Sequence, residues 1–127
     1  MATCTYNVDG INPDSLKKTD PIAKMFEEMK TNDIIFINLQ QVDVNFRNYF
    51  QSDYGVNFKL WKRYIENVFP LSQRFCRKWV VCGTIMIYSI YNIKASNYIK
   101  NDEYYNIFLG QAGFGNKAAF ASCVHVI

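Results

Sequence analysis

Ile34-Ile35-Phe36-Ile37 places four large apolar side chains in a row, and this run restricts the fold more than any other stretch of the chain. Side chains of a strand alternate between two faces, so an unbroken apolar run suits a parallel strand covered on both sides. What precedes it supplies the rest of a βαβ unit. Thr3 to Val8 reads as a first strand, closed by the turn pair Asp9-Gly10. Asn12-Pro13-Asp14 makes a loop, and Asp20-Pro21 opens a helix with Asp20 as the cap and proline in the first turn, where no donor is needed. Ile22, Met25, Phe26 and Met29 follow at helical spacing, and Asn32-Asp33 ends the helix. The crossover between the two strands is expected to be right-handed.

A second amphipathic helix is predicted over Phe58 to Phe69, with Trp61, Tyr64, Ile65 and Val68 on one stripe and Pro70 just beyond. Three β-rich segments complete the chain: about 74–93, long enough to contain a bulge or bend at Gly83, then Tyr105 to Gly110, and Ala118 to Ile127. Ser96 to Glu103 reads as a polar loop. The predicted fold class is α/β: one mixed β-sheet with flanking helices on one face, as a single domain over 1–127. Half of the residues are hydrophobic and 17% are aromatic, which excludes a disordered chain. The longest apolar stretch, Trp79 to Ile93, is too short and too interrupted to span a membrane, and no signal peptide is read at the start. Cys4, Cys76, Cys82 and Cys123 form no C-x-x-C pair and read as reduced thiols of a cytoplasmic protein.

Few constellations carry chemistry. Gly113 to Lys117 lacks the spacing of a phosphate-binding loop and leads into a strand, so it reads as a turn. Glu27-Glu28 and Asp102-Glu103 read as solvated faces, and His125 as a strand residue. Lys59, Lys62 and Arg63 share a helix face, followed by Arg74, Arg77 and Lys78, with Phe58, Trp61, Tyr64, Phe75 and Trp79 interleaved. One reading is a helix with its aromatics in the core and its charges in water. The other is a contact surface for an anionic partner: RNA, acidic lipid or protein. The net charge of +3 permits such a partner without requiring one.

Three segments, taken together, carry a resemblance. Thr5-Tyr6-Asn7-Val8-Asp9-Gly10, Asp33 to Val42 (D-I-I-F-I-N-L-Q-Q-V) and Gly110 to Phe120 (G-Q-A-G-F-G-N-K-A-A-F) stand in this order. They resemble the T-W-N-V-x-G, D-I-I-x-I-x-L-Q-E-V and G-N-K-G segments of inositol polyphosphate 5-phosphatases, in the endonuclease/exonuclease/phosphatase superfamily. The resemblance spans this chain and about the first half of that catalytic domain. It implies half of a four-layer sandwich, with Gly115, Asn116 and Lys117 as a structural motif. It also implies that Asn7 and residue 41 stand where the family places a magnesium ion against the scissile phosphate.

The departures decide the expected function. Residue 41 is Gln rather than Glu, and no G-D-x-N, W-x-D-R or S-D-H segment occurs in the 127 residues. Magnesium favours anionic oxygen ligands, which an amide does not supply. The expectation is therefore a non-catalytic remnant: Asn7 and Gln41 vestigial, no catalytic or metal-binding residues, no cofactor, and no enzyme activity. Half a sandwich would leave one sheet face open, so a protein partner or a second copy is expected to cover it. A ribonucleoprotein assembly is the alternative setting. The competing reading is a magnesium-dependent 5-phosphatase completed by further sequence or another subunit.

Overall fold

A computed structural model of the chain describes residues 1–43, 55–70, 75–82, 84–109 and 117–126. Over these residues the protein is α/β. Strands β1 (Ala2–Asn7) and β2 (Ile34–Gln40) flank helix α1 (Pro21–Met29), and helix α2 (Val56–Val68) follows. Strands β3 (Phe75–Cys82) and β4 (Ile85–Asn92), a short helix α3 (Ile93–Ser96), and strands β5 (Ile99–Leu109) and β6 (Lys117–Val126) complete the order. A mixed four-stranded sheet runs β1-β2-β4-β3, with β1 parallel to β2 and the other pairings antiparallel. No described helix is long and apolar enough to cross a membrane.

The expected βαβ opening is present, and its core follows from strand alternation. Cys4 of β1, Ile35, Ile37 and Leu39 of β2, and Met86, Tyr88 and Ile90 of β4 share one face. Against them pack Ile22, Phe26 and Met29 of α1, and Phe58, Trp61 and Ile65 of α2. Phe26 is the hinge of this layer, with ring centroids 6.1 Å from Tyr64 and 6.2 Å from Phe69. Both helices thus cover the same face, as their apolar stripes require.

Four expectations are corrected. First, the β-rich segment predicted over 74–93 contains two strands, not one stretch with a bulge or bend: β3 and β4 pair antiparallel from Phe75↔Asn92 to Cys82↔Ile85. Antiparallel pairing lets two apolar segments share one ladder, and Gly83, where a bulge or bend was expected, lies outside the described residues. Second, β5 begins at Ile99, inside the predicted loop, because pairing with β6 absorbs its polar start. Third, β5 and β6 form a separate two-stranded sheet, so among the described residues the strands do not build a single sheet. Fourth, Asp20 does not cap α1 with its side chain: its Oδ2 accepts from the Lys17 N–H at 2.7 Å.

The open sheet face is also narrower than the strand pattern implied. On the side away from the helices, Ile87, Ser89 and Tyr91 of β4 are all buried, while Thr3, Thr5 and Asn7 of β1 are exposed. Phe36 and Tyr91 meet there edge to face at 6.4 Å. Solvent therefore reaches this face at its β1 side, and the middle strand is covered within the chain.

Cys4 offers a local check on the core. It is buried at 4% exposure, and burial pushes its thiol up to about 11. In the unfolded chain a thiol ionises near ~8.5, so above that pH the unfolded state sheds a proton that the folded state retains. The Cys4 contribution to stability is therefore complete below pH ~8.5 and falls as pH rises toward 11. Urea midpoints measured from pH 7 to pH 10.5 should fall more steeply for the native protein than for Cys4→Ala. Parallel curves would show that Cys4 ionises freely in the folded state.

Candidate functional site

Asn7 and Gln41 lie 34 residues apart in sequence and meet at the carboxyl ends of the two parallel strands, where Asn7 Nδ2 donates to Gln41 Oε1 at 2.7 Å. The carboxyl ends of parallel strands are where open α/β sheets place their ligands. Backbone conformation brings the pair together. Simple alternation would send residue 41 to the helix-covered face with Ile35, Ile37 and Leu39. Gln41 instead adopts a left-handed backbone, φ 51°, and its side chain reaches Asn7 on the other side.

The loop leaving β1 is held as firmly as the strand end. Asp9 is also left-handed, φ 45°, and the Asn7 Oδ1 accepts its N–H at 3.0 Å in a local Asx turn. Gly10, φ 68°, donates its N–H to the Gln41 carbonyl at 2.8 Å, so the two strand exits are bonded directly. From α2, Asn57 Nδ2 donates to the Gly10 carbonyl and Trp61 Nε1 to the Ile11 carbonyl, each at 2.9 Å. Beyond Gln41, the Val42 N–H bonds the Thr84 carbonyl at the β3–β4 turn. Three elements thus fix a site only a few residues wide.

Its chemistry is that of neutral amides. Asn7 donates to Gln41, and neither side chain brings negative charge. Asp9 is exposed, and the carboxylate that follows, Asp43, is buried. Among the described residues no group of three or more His, Cys, Asp or Glu is placed to hold a metal ion. His125 is exposed on β6, in the separate hairpin.

Among the described residues, the predicted basic contacts Lys62, Arg63 and Lys78 are placed on more than one surface. Arg63 is ion-paired to Asp14 at 2.8 Å, linking α2 to the loop before α1. Lys62 lies 3.3 Å from Glu66 and 5.2 Å from the centroid of the Trp79 ring, so its charge helps to seat α2 on β3. Lys59 is exposed on the same helix. Lys78 pairs in register with Ser89, which puts it on the sheet face opposite the helices, and Arg77 takes the register position of Ile90. Arg74, Gly115 and Asn116 lie outside the described residues, and Lys117 is the first residue of β6.

Sequence reading missed Asn57 and Trp61 as anchors of the β1 exit. Trp61 carried a signal, since a buried indole N–H needs an acceptor, but which carbonyl it finds is a tertiary matter. On the helix side of β1, a groove of about 270 Å³ is lined chiefly by Tyr6, Val8, Ile11, Leu16, Ile22 and Trp61. No protein-family model matches this chain, and no curated protein matches it.

Proposed function

We propose that this chain is a phosphatase-like domain that binds without catalysing. On this reading it is a degenerate relative of the first half of inositol polyphosphate 5-phosphatases, acting as a binding or structural subunit of a larger assembly. The observation that carries the reading is the Asn7–Gln41 hydrogen bond. The two positions that the motif resemblance assigns to magnesium placement lie side by side, yet they present two neutral amides, one donating to the other, where the chemistry needs negative charge. Metal-assisted hydrolysis also requires activated water and a substrate clamp.

The placement of the cations supports a protein partner over RNA. Lys62 and Arg63 are engaged within the chain, and Lys78 lies on the opposite sheet face from α2, so these three described cations do not line up to follow a phosphate backbone. Magnesium titration tests the reading. A ion that binds only the folded state raises its melting temperature, and about 10 mM magnesium should leave this protein's melting unchanged beyond the effect of matched ionic strength. Gln41→Glu, which restores a carboxylate, should gain a magnesium-dependent shift. A saturable shift in the unaltered protein, lost in Asn7→Ala, would overturn the proposal in favour of a magnesium-dependent phosphatase completed by other sequence.

A further inference from the structure

β1 ends the four-stranded sheet, and its outer edge is open among the described residues. In a parallel ladder the N–H and C=O of one residue point to the same side, and successive residues alternate. The Val8 N–H bonds the Gln40 carbonyl at 3.0 Å, which fixes the phase: Ala2, Cys4, Tyr6 and Val8 face β2, and Thr3, Thr5 and Asn7 face outward. All three outward residues are exposed.

The strand compositions show that this edge is unusual. β2 and β4, each paired on both sides, contain no Lys, Arg, Asp or Glu. The other strands with an open side all carry charge: Arg77 and Lys78 in β3, Lys100, Asp102 and Glu103 in β5, and Lys117 in β6. Charge on an open edge discourages stray pairing. β1, Ala-Thr-Cys-Thr-Tyr-Asn, has no charge, no proline and no register break, so it has the composition of an inner strand with one neighbour missing. Tyr6 and Val8, on the helix side of this edge strand, line a mostly apolar groove with Ile11 and Ile22, on the face where alternate side chains of an added strand would fall.

We infer that β1 is a strand-addition site for an extended peptide segment of a partner protein. The segment pairs its backbone with Thr3 and Thr5 and seats an apolar side chain in the groove beside Tyr6. A second copy pairing through β1 is the weaker occupant. Six residues of edge fall short of the ~800 Å² per partner of a stable protein interface. Antiparallel self-pairing would also set the small Ala2 of the copy beside the groove, leaving it unfilled. The inference gives the binding-module reading its partner, and it fails separately: magnesium can remain unbound whether or not a strand adds to β1.

The probe is an acetylated, amidated hexapeptide alternating threonine and leucine, in three versions: unmodified, N-methylated on the threonines, and N-methylated on the leucines. Strand addition uses every second peptide amide. One methylated version should therefore bind at least ~10-fold more weakly while the other stays within ~3-fold of the unmodified peptide. An antiparallel strand with leucine in the groove turns its threonine amides toward β1, and a parallel one its leucine amides, so the sensitive version also reports direction. The Thr3 and Thr5 amides should exchange hydrogen rapidly in the free protein and slowly with peptide. Thr5→Pro removes an outward N–H that β2 does not use, and should abolish binding with the fold retained. Equal effects of the two methylations, no binding at about 1 mM peptide, or protection of Thr3 and Thr5 without peptide would each overturn the inference. So would a micromolar dimer that Thr5→Pro dissociates, which would assign the edge to a second copy.

Discussion

Supplied with magnesium, the purified chain should release no phosphate from an inositol 5-phosphate above the uncatalysed rate, and Gln41→Glu should not change that. Acid–base assistance alone is worth 10²–10⁴-fold, and metal ions contribute several kcal/mol more of transition-state stabilisation. The Asn7–Gln41 amide pair supplies neither, and His125 lies on β6, in the separate two-stranded sheet. A carboxylate at position 41 could still accept from Asn7 and would improve cation binding, so the variant separates metal affinity from turnover. Phosphate release by Gln41→Glu would place the remaining machinery within this chain. Release by the unaltered protein, abolished in Asn7→Ala, would make it an enzyme.

Trp61→Ala should be the most destabilising single truncation on α2, by about 3–5 kcal/mol. That is a large share of the ~5–15 kcal/mol that holds a typical domain together. The side chain is 1% exposed, meets Tyr64 edge to face at 5.7 Å, and gives its N–H to the Ile11 carbonyl. Truncation opens a cavity and removes the donor to that carbonyl, so the Asp9–Ile11 loop loosens as well. Trp61→Phe keeps most of the volume and isolates the hydrogen bond, with an expected loss of about 1–3 kcal/mol. Urea unfolding measures both variants. Equal, small losses would show that the indole is not the pin between α2 and the β1 exit. Hydrogen exchange at Gly10 and Ile11 should quicken in both variants.

Much of the opening half was legible because its signals are local. The apolar spacing of α1, proline at its first position, and the four-residue run Ile34–Ile37 each act within one turn or one strand. The same logic misled at Asp20, where a correct helix start concealed a carboxylate turned to the Lys17 N–H instead of the helix. It also misled over residues 74–93. Apolar content there fits one long strand or two short ones equally well, and only the pairing partner distinguishes them. The basic residues between 59 and 78 were visible as a group, but α2 gives Lys62 and Arg63 different partners and β3 puts Lys78 on the other sheet face.

At the candidate site the division is sharper. Sequence by itself determined that Asn7 belongs to the first strand of a βαβ unit, that residue 41 follows the apolar run of the second, and that residue 41 carries an amide and no charge; these follow from residue identity and short-range periodicity. Only the tertiary structure decided that the two side chains bond to each other. That contact depends on the parallel register of β1 with β2, on the left-handed turn at Gln41, and on Gly10, Asn57 and Trp61 holding the opposing loop. Each of these is set by partners some thirty to fifty residues away, and the free energy that selects among them comes from packing that no local window contains.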